Sequence, residues 1–355
     1  MRLLHFESLQ PICPSCKKIG RVSSLRLTIC DETNGEIVSG LMKCMASDCG
    51  GTFPIIFGCP ILVPDVETWL STNLHLILQK EITDTNVENL ISELVSPDIA
   101  FNITRQQQSS YCSDHFNKEF SENLVNQFTD NTFSTVRRCL SKALELMPVN
   151  SLPCIDIGCA VGGTTFDIAQ KRKSLTIGVD LNWPLLSIAR KVLCEGIISY
   201  PQRIIGNKYE RRTTSVSYPL SELCDFWIAD ATCLPFRENN FGIAIALNII
   251  DCLSDPQSLL TELLRIVKEG GGVSIACPFD WASHSTHHKS WIYEGAQLDD
   301  ILMGSKELTP NGEEKHLMMR SPPEEMEWCL ALHKRSKITY LTRLYLMEVF
   351  TRRAR

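Results

Sequence analysis

Ile155-Asp156-Ile157-Gly158-Cys159-Ala160-Val161-Gly162-Gly163-Thr164-Thr165 is the stretch whose reading decides the fold. Cys154 to Ile157 is a short apolar run with one embedded acid, and it reads as a buried strand. Thr164 to Lys171 then alternates apolar and polar positions at helical spacing. Between them, Gly158 permits a tight turn and Gly162 a close approach of backbone to a ligand. The spacing is G-x-x-x-G, which is neither the G-x-G-x-x-G of dinucleotide enzymes nor the G-x-x-x-x-G-K of a phosphate loop. Taken alone, the loop reads equally well as a plain structural turn.

Working downstream, Leu175 to Val179 reads as a strand, Pro184 to Leu193 as a helix, and Phe226 to Ala229 and Gly242 to Leu247 as further strands. A helix from Pro256 to Lys268 and a strand from Val273 to Cys277 follow, and the tail holds strand candidates around 326–332 and 338–347. Strands alternating with helices imply βαβ units and a mainly parallel sheet, in which ligands bind beyond the carboxyl ends of the strands. Two acids stand at such ends. Asp180 closes the second strand, one strand-helix-strand step after Gly158, where a carboxylate can take both ribose hydroxyls of an adenosine ligand. Asp230 closes the third, in Asp230-Ala231-Thr232-Cys233-Leu234-Pro235-Phe236, and can accept from the exocyclic amine of adenine. Either acid could instead cap a following helix. Two in the correct order behind a glycine loop weigh against that reading.

Together these residues resemble class I S-adenosylmethionine-dependent methyltransferases over about residues 136–280. The matching motifs are D-x-G-x-x-x-G at Asp156 to Gly162, the acid Asp180, the D-A-x-x-L-P-F box at Asp230 to Phe236, and the glycine turn Gly270-Gly271-Gly272. One departure is Gly242, where the family commonly has an aspartate. The resemblance implies an α/β fold with a Rossmann-like, seven-stranded, mainly parallel sheet and helices on both faces. It implies S-adenosylmethionine contacts from Asp156, Gly158, Cys159, Ala160, Gly162, Asp180, Leu181, Asp230, Ala231 and Asn248. An aromatic on a preceding helix, here Tyr111 with His115 nearby, would lie over the cofactor. The runs Asn248 to Pro256 and Pro278-Phe279-Asp280-Trp281 are further similar to the methyltransferase domain of ovothiol-biosynthesis enzymes, which methylates an imidazole nitrogen. That hints at a small amine, imidazole or thiol acceptor.

Residues 1–66 differ in composition from the rest. Cys13-x2-Cys16 and Cys44-x4-Cys49, two pairs well separated along the chain, can offer four thiolates to one tetrahedral zinc. With the segments Gly50 to Ile55 and Gly58 to Pro64, they resemble the small zinc-ribbon proteins that activate tRNA and protein methyltransferases. Those usually carry C-x2-C in the second pair, so a metal-free ribbon with thiols as core residues is the competing expectation. A closed four-thiolate site is structural and should do no chemistry. The expected layout is a zinc-ribbon-like unit at 1–66, a helical linker or lid at 67–135 with helix-spaced Phe116, Phe120 and Leu124, and the methyltransferase unit at 136–355.

The acceptor should meet residues beyond the fourth and fifth strands: Asn248, Asp251, Asp280 and Trp281. Asp251 or Asp280 could hold an ammonium or take its proton, and Asn248 could orient the acceptor. His284, His287 and His288, in a polar loop with tandem histidines, read as exposed rather than metal-binding. Arg203, Lys208, Arg211 and Arg212 read as a solvated loop or an anion contact.

Composition narrows the classes. At 44% hydrophobic and 21% charged, the 355-residue chain is expected to be globular rather than disordered. Its longest apolar run, Phe241 to Ile250, is too short for a membrane span. The net charge of −6 gives no global pull onto nucleic acid, although nucleic acid is not excluded as a partner. With no secretory leader in the N-terminal residues, the sixteen cysteines are expected to be mostly reduced in the cytoplasm. The leading expectation is a methyltransferase acting on a nitrogen or sulfur of a small polar molecule. The alternatives are an RNA or protein methyltransferase that docks through its ribbon, and a non-catalytic subunit that kept the fold. Nothing in the sequence sets the oligomeric state.

Overall fold

The computed structural model describes residues 1–82, 84–120, 134–283, 285–309 and 311–352. Leu124 and His284 lie outside them. Helices α1 (Leu3–Leu9) and α2 (Pro14–Lys18) precede four antiparallel strands, β1 (Leu25–Thr33), β2 (Glu36–Cys44), β3 (Thr52–Ile56) and β4 (Cys59–Leu62). Four helices follow: α3 (Val66–Ile77), α4 (Thr85–Leu94), α5 (Ala100–Phe120) and α6 (Thr135–Leu146). Asp65, Asp84 and Ser134 start α3, α4 and α6 by accepting from the otherwise unpaired N–H groups of the first turn.

The alternating region then runs β5 (Cys154–Ile157), α7 (Gly163–Arg172), β6 (Thr176–Asp180) and α8 (Trp183–Glu195). A hairpin of β7 (Ile197–Ile205) and β8 (Lys208–Ser215) comes next, followed by β9 (Cys224–Ala229), β10 (Phe241–Leu247), α9 (Pro256–Ile266) and β11 (Val267–Cys277). The tail holds α10 (Gly295–Gly304), β12 (Lys306–Leu308), β13 (Glu314–Met319), β14 (Glu324–His333) and β15 (Ser336–Arg352). Asn182 caps α8, Pro184 sits in its first turn, and Gly196 ends it in a left-handed conformation, the usual punctuation of a helix.

Strand order β9-β6-β5-β10-β11-β15-β13 gives the expected seven-stranded frame. The first five strands are parallel, and β15 runs antiparallel to both β11 and β13. Both faces are covered, which explains why the central strands are apolar without alternation. Phe226 and Ile228 of β9 pack on one side with α5, α7 and α8. Trp227 and Ala229 pack on the other with residues of α9 and α10.

The sheet does not end at β9. The last ribbon strand pairs parallel to it, Ile61 opposite Ile228 and Leu62 opposite Ala229, so the N-terminal strands and the alternating region share one sheet. Polar contacts fix the joint. Arg190 of α8 bonds Asp225 at 3.0 Å and also reaches Glu36 of β2, and the Arg2 N–H donates to Asp225 at 2.9 Å. Despite full burial, the surrounding cations, Arg190 among them, hold the Asp225 carboxyl down at about 2.

Two segments differ from the sequence reading. The stretch after α8, read as a loop, is the β7–β8 hairpin, which packs on α4 and α5. Arg211 there is tied to Glu81 and Glu88, which holds the hairpin down, while Arg203 donates to the Gly206 carbonyl at 2.6 Å within the hairpin's own turn. The tail carries β12 and β13 in addition to the two expected strands.

Candidate active site

The glycine loop sits at the carboxyl end of β5, as the sequence implied. Gly158 adopts φ +72°, and a Cβ there would come within 2.7 Å of the Ile249 side chain. Gly162 has φ +80° and would put a Cβ 2.6 Å from the Phe226 ring. Only glycine fits either position. Asp156 points inward beneath the loop. It is 3% exposed, and its Oδ2 accepts from the Thr164 and Thr165 hydroxyls at 2.7 Å each. Burial pushes its carboxyl up to about 6. It shapes the loop from below.

Asp180 closes the loop from the side. Its two oxygens accept from the Ala160 N–H at 2.9 Å and the Asn182 N–H at 2.8 Å. Burial raises its carboxyl, against the pull of those donors. Asp230 turns Oδ1 back onto Thr232, accepting from its N–H at 2.8 Å and its hydroxyl at 2.7 Å. The loop, Asp180 and Asp230 therefore stand on the carboxyl ends of the neighbouring strands β5, β6 and β9. That is the row along which a parallel sheet holds an extended nucleoside. His115 of α5 lies against Gly163, the first residue of α7, where a Cβ would come within 2.8 Å of it. Burial holds His115 neutral, down at about 3.

On the other side of β5, residues after β10 and β11 form an acidic cup. Asp251 is 1% exposed and accepts from the Asp280 N–H at 3.0 Å. Burial, reinforced by Asp280, pushes its carboxyl up to about 6. Asp280 itself is exposed. Tyr111 reaches the cup from α5. Part of its ring is open to solvent, while its hydroxyl is raised by burial and by Cys252, Asp180, Tyr340 and Asp251 around it. Tyr340 is raised by burial and by Asp280, Asp251 and Cys252. Asn248 has φ +52°, and its Oδ1 accepts from the Thr342 hydroxyl at 2.8 Å, which fixes the amide. Trp281 donates to the Ile292 carbonyl at 2.8 Å and packs on the core, so it braces the loop beneath Asp280.

Tyr340, Cys252 and Thr342 were not read from the sequence as site residues. The signal was the sheet register. Cys277 of β11 pairs with Arg343 of antiparallel β15, so Asp280 and Tyr340, equally far beyond that pair, arrive at the same edge.

In the ribbon, the four sulfurs of Cys13, Cys16, Cys44 and Cys49 lie within 4.8 Å of one another. Cys13 and Cys49 are 3.9 Å apart, and Cys16 and Cys44 3.7 Å. Zinc bonded to four thiolates at about 2.3 Å makes a tetrahedron with edges of roughly 3.8 Å, so the set fits that ion. Burial raises the Cys13 thiol, and the backbone N–H groups of Cys16 and Ala46 that point at the Cys13 and Cys44 sulfurs offset part of that cost for the thiolate form. This is the only metal-competent group among the described residues. His287 and His288 are exposed and merely stack, with ring centroids 4.3 Å apart.

Residues 155–275 match the family described as a methyltransferase domain. The sterol 4-C-methyltransferase of Caenorhabditis elegans is 26% identical over 133 residues, 37% of this chain and 32% of that protein. Norajmaline N-methyltransferase of Rauvolfia serpentina is 21% identical over 168 residues, 46% of this chain and 50% of that protein. Phosphoethanolamine N-methyltransferase 1 of Arabidopsis thaliana is 26% identical over 122 residues, 34% of this chain and 20% of that protein. The chain thus spans between a fifth and a half of the curated relatives it matches. Among solved structures, a complex of the Haloferax volcanii Trm112 methyltransferase activator with a methyltransferase aligns at 13% identity and TM-score 0.40, over 70% of this chain and 99% of that one. No helix among the described residues is long and apolar enough to cross a membrane.

Proposed function

We propose that this chain, which carries a methyltransferase domain over residues 155–275, transfers a methyl group from S-adenosylmethionine to a nitrogen of a small cationic molecule. The observation that carries the reading is the acidic cup after β10 and β11, where buried Asp251 accepts from the Asp280 N–H at 3.0 Å and both carboxylates act on the Tyr340 hydroxyl. S-adenosylmethionine supplies an electrophilic methyl on a cationic sulfur. The chain's residues do the rest. The glycine loop, Asp180 with Leu181, and Asp230 with Ala231 form the cofactor's row of strand ends. Asp280, exposed at the rim, attracts an ammonium group. Asp251 is ionised at neutral pH, yet its burial makes it a stronger base than an ordinary aspartate, and it takes the proton that the nitrogen must lose. Tyr111 and Tyr340 wall the cup and position the acceptor. The N-methyltransferases among the relatives are in keeping with a nitrogen acceptor.

The same reading gives the ribbon thiolates one structural zinc and divides the chain into functional segments 1–66, 67–135 and 136–355. The test is a methyl-transfer screen with labelled cofactor against small amines, histidine and imidazole derivatives, thiols, peptides and total RNA. Transfer to small amines or imidazoles is expected. Transfer to RNA alone would overturn the small-molecule reading and give the ribbon a docking role.

A further inference from the structure

The row of strand ends that holds an adenosine does not stop at Asp230. Beyond β9 the sheet continues into β4, parallel to it, and the residues that leave the end of β4 are Val63, Pro64 and Asp65. A groove of about 560 Å³ opens at this place. One wall is Leu181, Asp230 and Thr232, the residues at the adenine end of the proposed cofactor row. The rest of its lining comes from the N-terminal segment, including Lys18 of α2, Val63 and Pro64 after β4, and Trp69 and Thr72 of α3.

This N-terminal part of the lining is fixed rather than draped. The Ile12 N–H donates to the Pro235 carbonyl at 2.9 Å, inside the Asp230–Phe236 box. Lys17 bonds Glu262 at 2.7 Å, and the other Glu262 oxygen accepts from the Leu234 N–H at 2.7 Å. Trp69 is anchored against the core on the α8 side. Trp69 and Val63 thus line the same groove as Leu181 and Asp230.

We propose that this groove receives the adenine of the cofactor, with Trp69 as the aromatic face of its pocket and Val63 and Leu181 as the apolar sides. The adenine site would then be built jointly by the methyltransferase domain and the segment 63–72. The argument rests on the cofactor reading given above and adds a specific wall to it. An adenine ring needs flat apolar contact on its faces and an acceptor for its amine. The groove offers Trp69, Val63 and Leu181 for the first and Asp230 for the second.

The test is calorimetric binding of S-adenosylhomocysteine and of adenosine alone to the full chain and four variants. Trp69→Ala should weaken both ligands by roughly three- to tenfold, the factor expected of one aromatic stacking contact. Trp69→Phe should restore most of the affinity. Thr72 is exposed on α3 and lines the groove, so Thr72→Trp should fill the space and weaken both ligands without lowering the melting temperature. Asp180→Ala reports on the ribose partner independently. If Trp69→Ala and Thr72→Trp leave both affinities unchanged while Asp180→Ala still weakens them, the groove assignment falls and the cofactor reading stands. If the wild-type chain binds neither ligand, the cofactor reading falls as well.

Discussion

Replacing Asp251 by asparagine separates what this carboxylate does for stability from what it does for chemistry. The folded chain holds Asp251 at 1% exposure and raises its carboxyl from 3.8 to about 6. A rise of roughly two units at about 1.4 kcal/mol each means that the ionised side chain costs the fold about 3 kcal/mol at pH 8. The direction follows from proton counting. Between about pH 4 and pH 6 the folded state holds more protons than the unfolded one, so stability falls as pH rises through that window and the full cost is present above it. Asparagine carries no charge at any of these pH values, and its amide oxygen can still accept from the Asp280 N–H. Asp251→Asn should therefore match wild type near pH 4 and exceed it by about 1–3 kcal/mol at pH 8, the lower end allowing for a weaker hydrogen bond to a neutral acceptor. Thermal melts at both pH values measure this directly. Methyl transfer to the best amine from the screen should meanwhile fall by roughly a hundred- to ten-thousandfold, the range for loss of a general base. Wild-type turnover should lose about tenfold between pH 7 and pH 5, as Asp251 becomes protonated. A variant that is less stable than wild type at pH 8 by the same margin as at pH 4, with unchanged turnover, would refute both the burial argument and the role in proton transfer.

Further outcomes concern the cofactor row, the rim of the cup and the ribbon. Asp180→Ala removes a charged partner of the ribose and should lower S-adenosylhomocysteine affinity ten- to a hundredfold by calorimetry, whereas Asp280→Asn should leave that affinity unchanged and lower turnover. Protein purified without added metal should hold close to one zinc per chain by elemental analysis, and Cys44→Ser should lose the metal and melt earlier, because metal binding in such a module is folding energy; an unaltered melt in a zinc-free preparation would remove the site.

The legible parts of this fold are those set by short-range rules. The glycine loop, the acids Asp180 and Asp230 and the buried strands announce themselves because a tight turn, a strand end and a two-sided burial each restrict residue type locally. The β7–β8 hairpin was not legible, since Arg203, Lys208, Arg211 and Arg212 read as solvated. Only tertiary partners such as Glu81 and Glu88 make an ordered strand of that segment. Tyr340 was hidden for a different reason: it lies far from Asp280 in sequence and meets the cup only through the antiparallel register of β15 on β11. The join of β4 to β9 likewise depends on a pairing between distant parts of the chain, which no local pattern in Cys59–Leu62 encodes.

That join also decides where the sheet is vulnerable. Phe226, Trp227 and Ile228 are fully buried. With β9 as the border strand, its unpaired N–H and C=O groups would lie beside that apolar row, open to any other extended chain. Covering β9 with β4 moves the border outward to β1, whose residues are mostly exposed and include the acids Asp31 and Glu32. The opposite border is the very short β12, Lys306–Leu308. Charge on one rim and brevity on the other are both ways a sheet resists strand-to-strand aggregation. The N-terminal strands thus act as a guard rail for the whole sheet, and a chain shortened to begin after residue 66 would be prone to self-association before its catalytic competence could be measured.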